Sequence, residues 1–93
     1  MSKKKVDQDV FSQENVTDNI FIRTFKSTVK YEDLKWHRDY NDRFIEILNE
    51  NDWYIQFDNC LPIPLKENFE IKKGVYHRLI KGTTDLVVKI TEQ

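Results

Sequence analysis

From residue 19 to the end of the chain, apolar and polar positions alternate with a period of two, broken by short polar clusters. Within residues 19–29, Ile20, Ile22 and Thr24 fall on one face and Phe21, Arg23 and Phe25 on the other, which predicts a strand. Residues 31–40, YEDLKWHRDY, continue the extended pattern, with Leu34, Trp36 and Arg38 on one side and Lys35, His37 and Asp39 on the other. Because side chains two apart in a strand share a face, His37 and Asp39 are expected side by side. Residues 42–48 carry the β-branched Ile45 and Ile47. In isolation they suit a helical turn as well as a strand. The NEND turn that follows, and the alternation of Trp53, Ile55 and Phe57 against Tyr54, Gln56 and Asp58, decide for two strands joined as a β-hairpin.

Both prolines, Pro62 and Pro64, lie in residues 58–68. A residue without an N–H cannot serve a central strand, so this segment is a connection with a short edge strand at 63–65. Phe69 and Ile71 lead into KKG, then Val75, His77 and Leu79 alternate with Tyr76, Arg78 and Ile80. After the KGTTD turn, Leu86, Val88 and Ile90 alternate with Val87, Lys89 and Thr91. Seven or so short strands without a helical period indicate an all-β, antiparallel barrel or sandwich. Gly occurs only at Gly74 and Gly82, so Asn49, Asn51, Asn59 and Asn68 are expected to take left-handed turn positions.

Composition narrows this picture. Ninety-three residues with 39% hydrophobic and 13% aromatic side chains suffice for one domain with an economical core. Residues 1–17 are polar and aperiodic and read as a flexible tail, with Phe11 as a candidate anchor, and residues 18–93 form the domain. A formal charge of −1 supplies no overall field toward nucleic acid or an anionic membrane. Cys60 is the single cysteine, which excludes an internal disulfide and a multi-cysteine zinc site and suits a reducing, cytoplasmic setting. The basic start SKKK is not followed by the apolar core of a secretory signal, and no stretch approaches the length of a membrane span.

The chain contains two histidines, His37 and His77. Residues 72–77, KKGVYH, resemble the second motif of the small single-domain cupins, Pro-x-Gly-x-x-His, with Gly74 and His77 in register and Lys72 in place of the proline. The first cupin motif centres on His-x-His followed by Glu and later Gly. His37 matches its first histidine and Asp39 occupies the second, while the Glu column falls at Arg43 or Phe44, with Asp42 one residue early. The resemblance implies a jelly-roll type, cupin-like barrel whose interior holds a divalent metal through His37, Asp39 or Asp42, and His77. Two imidazoles and a carboxylate suit Fe, Mn, Ni or Zn and leave positions open for a small molecule.

Two further groupings offer other partners. Arg38, Tyr54, Gln56 and Arg78 lie on strands near His77 and can hydrogen-bond a small polar ligand at a barrel mouth, or else form a solvated outer face. Trp36 and Tyr76 with Lys72 and Lys73 mix aromatics with basic charge, the pattern of a metal-free module that binds protein or single-stranded nucleic acid, although the acidic residues between Glu32 and Glu50 oppose nucleic acid. Open strand edges favour a homodimer. The expectation is a protein that binds a metal or small polar ligand inside the barrel, and no residue pattern specifies a reaction.

Overall fold

The computed structural model describes residues 10–93. Eight strands follow in order: β1 (Phe11–Asn15), β2 (Ile20–Phe25), β3 (Arg43–Ile47), β4 (Tyr54–Phe57), β5 (Ile63–Pro64), β6 (Phe69–Ile71), β7 (His77–Ile80) and β8 (Leu86–Glu92). They build a five-stranded sheet, β1-β2-β8-β3-β6, and a three-stranded sheet, β5-β4-β7, in which every pairing is antiparallel. One 3-10 turn, Tyr31–Asp33, lies between β2 and β3.

The central strand shows why the period of two is decisive. In β8, Leu86, Val88 and Ile90 are buried while the residues between them stay partly exposed. Phe21 and Phe25 of β2, Ile45 of β3 and Ile71 of β6 extend the same inner face, and Trp53 and Ile55 meet it from the other sheet. Trp53 and Leu86 are fully buried, and each such side chain contributes on the order of 1.5–3 kcal/mol through the water it leaves.

Four expectations are corrected. Phe11–Asn15, inside the segment expected as a tail, pairs along its whole length with Ile20–Phe25. Phe11 explains this, because it packs on the core and its ring centroid lies 5.4 Å from that of Phe25. The rest of the expected tail, residues 1–9, lies outside the described residues. Residues 31–40 are not a strand, since among the described residues their only ladder contact is an isolated bridge between His37 and His77. The expected hairpin between β3 and β4 is also absent. β3 pairs with β6 and β8, β4 pairs with β5 and β7, and NEND carries the chain from one sheet to the other.

The asparagines work differently from expectation too. Among the described non-glycine residues only Asn59 has a positive φ, 61°. Asn49, Asn51 and Asn68 instead spend their side chains on main-chain groups. Asn49 accepts from Val87 N and donates to Asp85 O, Asn51 accepts from Trp53 N, and Asn68 accepts from Ile47 N. These bonds satisfy donors and acceptors where the chain leaves one sheet for the other, which a tight turn would not need. The short edge strand expected at 63–65 is present as Ile63–Pro64.

Candidate metal and ligand site

His77 opens β7 and is brought there by a turn at Gly74, whose φ of 81° belongs to the left-handed region. The turn is fastened to the segment before β3: Gly74 N donates to Asp39 O at 2.9 Å and Lys73 N to Asp42 Oδ1 at 2.8 Å. Facing it, His37 and His77 exchange both main-chain hydrogen bonds, at 3.0 and 2.9 Å. A directly opposed pair places side chains on the same face, and the two imidazole centroids are 4.3 Å apart.

Each imidazole has one nitrogen committed and one free. His37 Nδ1 lies 3.0 Å from Lys35 O and His77 Nδ1 lies 2.9 Å from Val75 O. A carbonyl can only accept, so each Nδ1 carries the proton in the neutral ring and each Nε2 keeps its lone pair. Both Nε2 atoms face Asp39, with His77 Nε2 3.5 Å from Oδ2 and His37 Nε2 3.9 Å from Oδ1. Burial holds the His77 pKa below its ordinary value, only partly offset by its bond to Val75 O, which keeps the ring neutral and able to bind a cation.

Asp39 supplies the most informative atom. Its Oδ2 is buried and has no hydrogen-bond partner among the described residues, an arrangement that costs about 1–3 kcal/mol, and more for a charged group, unless something else binds there. One donor atom from each of His37, Asp39 and His77 lies within 4.8 Å of the others, so these residues can hold a metal ion. Asp42 is not in the cluster, because its carboxylate accepts from Lys73 N and faces Lys72 Nζ at 3.9 Å.

Arg43 stands inside the barrel beside the cluster. Its Nη1 is 3.5 Å from Asp39 Oδ1, while its Nε and Nη2 bind Glu92 Oε2 at 3.0 and 2.7 Å. Glu92 therefore offsets most of its charge, and Asp39 presents one oxygen to Arg43 and the other to His77. Behind the cluster a cavity of about 450 Å³ runs into the barrel, lined by His37, Asp39, Arg43, His77 and Arg23 among mostly apolar core side chains.

The other expected ligand residues are placed elsewhere. Arg38, Tyr54, Gln56 and Arg78 do not line the cavity, and they lie on the outer side of the three-stranded sheet and its neighbouring segment. There Arg78 donates to Gln56 Oε1 at 2.9 Å, and Gln56 donates to Cys60 O. The buried Ile55 and Trp53 take the inner side, so the residue between them faces out. Arg23, not singled out in the sequence as a site residue, is the main addition. That it shares a face of β2 with Phe21 and Phe25 was readable from alternation, and the burial of those two rings makes it the core face.

No family model and no curated protein matches the chain. Solved structures do. A Neisseria meningitidis protein, NMB1881, is 18% identical with a TM-score of 0.59, over 99% of this chain and 100% of that one. A cupin domain from Bordetella pertussis is 14% identical with a TM-score of 0.61, over 90% and 92%. The Fe(II) form of HppE is 15% identical with a TM-score of 0.60 over 80% of this chain, which spans only 41% of HppE. The chain thus has the fold of a small cupin, an all-β antiparallel barrel of the jelly-roll type.

Proposed function

We propose that this protein binds a divalent transition metal (Fe, Mn, Ni or Zn) through His37 Nε2, the Asp39 carboxylate and His77 Nε2, with a small molecule in the cavity behind. The observation that carries the reading is the buried, unpartnered Asp39 Oδ2 facing a free imidazole nitrogen 3.5 Å away. A cation bound there would turn an unsatisfied oxygen and two unspent lone pairs into ligands at one stroke. Such an ion polarises an oxygen or carbonyl group placed on it. The chain's own part is to fix both imidazoles through Lys35 O and Val75 O, to hold Asp39 through Arg43, and to surround the position with apolar side chains. The Fe(II) form of HppE, which shares the fold, supports iron as one candidate.

The test is the metal content of untagged protein by mass spectrometry, repeated on His77→Ala and Asp39→Asn. Near one equivalent of a transition metal, lost in both variants, is expected; protein that takes up none of the four ions on dialysis would refute the reading.

A second reading is favoured by the outer surface, where Arg78 stacks over Trp36 at 4.9 Å and Arg38 over Tyr76 at 5.3 Å, with both rings exposed. It makes the protein a metal-free interaction module, with Lys72 and Lys73 shortly before Tyr76 in the chain. Lys72 already faces Glu70 and Asp42 at 3.5 and 3.9 Å, which reduces its value to a polyanion. Charge reversal at Lys72 and Lys73 abolishes partner binding under this reading and leaves metal content unchanged under the first.

A further inference from the structure

Two arginines line the cavity, and they differ in what they have left to bind. Arg43 is spent on Glu92 and Asp39. Arg23 is not: among the described residues its hydrogen-bond partner is the neutral Gln13, whose Oε1 accepts from Nε at 2.8 Å, and no carboxylate lies within ion-pairing distance. The guanidinium carbon lies 4.0 Å from the centroid of the Phe11 ring and 5.2 Å from that of Phe21. With Nε committed to Gln13, the Nη atoms are left to bind a planar anion.

Burial supports the same conclusion. Removal from water, together with repulsion from Arg43, lowers the Arg23 pKa to about 10, against weaker support from Asp39 and Glu92. The group therefore stays charged at neutral pH, and a half-buried cation with no carboxylate in contact gains from an anion placed beside it. Around it the cavity wall is apolar, with Phe25, Ile55, Leu79 and Val88 among its side chains. Its volume of about 450 Å³ lies within the usual range of small-molecule sites.

We propose that the cavity takes a small organic acid with an apolar body, its carboxylate on the Nη atoms of Arg23 and its body against the aliphatic wall between Arg23 and the His37–Asp39–His77 cluster. This rests on the cavity being a ligand site, as above, and not on the metal. An acid of this kind supplies the anion that Arg23 lacks and an apolar surface for side chains that polar ligands would leave unmatched. Gln13 on β1 acts as a positioning residue because it holds Nε without lining the cavity, while Phe11, also on β1, lines the cavity beside the guanidinium.

Calorimetric titrations of hexanoate and benzoate into the full chain, first stripped by chelator and then loaded with zinc, test this. Both acids are expected to bind the stripped protein, with hexan-1-ol and inorganic phosphate much weaker, since one lacks the charge and the other the body. Arg23→Gln should weaken both acids by about tenfold or more, the size of a charge-assisted bond, and Arg23→Lys should fall between. Zinc uptake, read separately, should survive Arg23→Gln and be lost in His77→Ala, so failure of the metal reading is distinguishable from failure of this one. Hexan-1-ol binding as tightly as hexanoate overturns the proposal, as does phosphate binding as tightly. Unaltered acid binding in Arg23→Gln, or no binding of either acid at millimolar concentration, also overturns it. The comparison of hexanoate with hexan-1-ol uses the unaltered protein and holds even if the arginine variants fold poorly.

Discussion

The strands β4 and β7 run between two ends of the barrel that treat their polar side chains in opposite ways. At the Tyr54 and Ile80 end, side chains are spent on the backbone. Asp52 accepts from Thr83 N and Thr83 Oγ1 at 2.8 and 2.6 Å, Asp85 accepts from Ser27 N at 2.9 Å, and the side chains of Asn49 and Asn51 together bind five main-chain groups. At the Phe57 and His77 end, two imidazole nitrogens and a buried carboxylate oxygen are left without partners among the described residues. A fold that satisfies one end so fully and leaves the other open has reserved the second for something it does not itself contain.

The largest effect that sharpens this contrast is at the closed end. Trp53 is fully buried and its Nε1 donates to Thr84 O, so it joins the core to the turn before β8. Trp53→Ala should cost about 3–5 kcal/mol, a large share of the stability of a domain this size. Urea unfolding of the variant should show a greatly lowered midpoint or no cooperative transition. A midpoint close to that of the parent would mean that the closed end does not hold the barrel.

The two glycines give a smaller and more direct comparison. A Cβ on Gly82 would meet the Asp52 carboxylate and would stand 2.6 Å from Asp52 O, a main-chain atom that cannot swing away. Gly82→Ala is expected to destabilise by about 1–3 kcal/mol through overpacking. At the open end, Gly74 has nothing within 4 Å of its missing Cβ, so only its φ of 81° opposes substitution. Gly74→Ala should cost roughly 1–2 kcal/mol, the price of a left-handed Ala, and Gly74→Asn less. If Gly74→Asn were as damaging as Gly82→Ala by thermal unfolding, the two turns would be held by the same force and the contrast would fail.

What could be read before the structure follows the same division between local and distant causes. Alternation put Arg23 in register with Phe21 and Phe25, and Gly74 stands three residues before His77, both set by neighbours in the chain; His37 and Asp39 meet although the strand expected to pair them did not form. The pairing of β3 with β6 and β8 depends on residues 20 to 50 positions away, and NEND looked like a hairpin turn because its asparagines suit one equally well. Alternation grouped Tyr54 with Gln56 opposite the apolar Trp53, Ile55 and Phe57, which favours the outer face for the pair, and Trp53 and Ile55 are indeed buried. Asp39 and Asp42 are likewise set apart by a distant residue, since Lys73 N reaches Asp42 while Asp39 keeps a buried oxygen without a partner among the described residues.

The gentlest way to separate the ends is acid, because their groups titrate in different ranges in metal-free protein. Asp52 and Asp85 have pKa values lowered from 3.8, the first mainly by Thr83 and the second mainly by the Ser27 N–H. Their stabilisation is complete above 3.8 and is lost as the pH falls below it toward the folded values. His77 is lowered from 6.5 by burial, so its folded form takes up a proton less readily than the unfolded chain. The sign is the same but the window is higher, and stability should begin to fall as the pH drops below 6.5 and continue to fall until the folded value is reached. Urea midpoints measured across pH in the presence of a chelator should decline in that upper window for the parent protein and less steeply for His77→Asn, while Asp52→Asn alters only the acid limb. An upper decline untouched by His77→Asn would mean that burial at the open end exerts no hold on this imidazole, and the cluster would then be as well solvated as the surface around it.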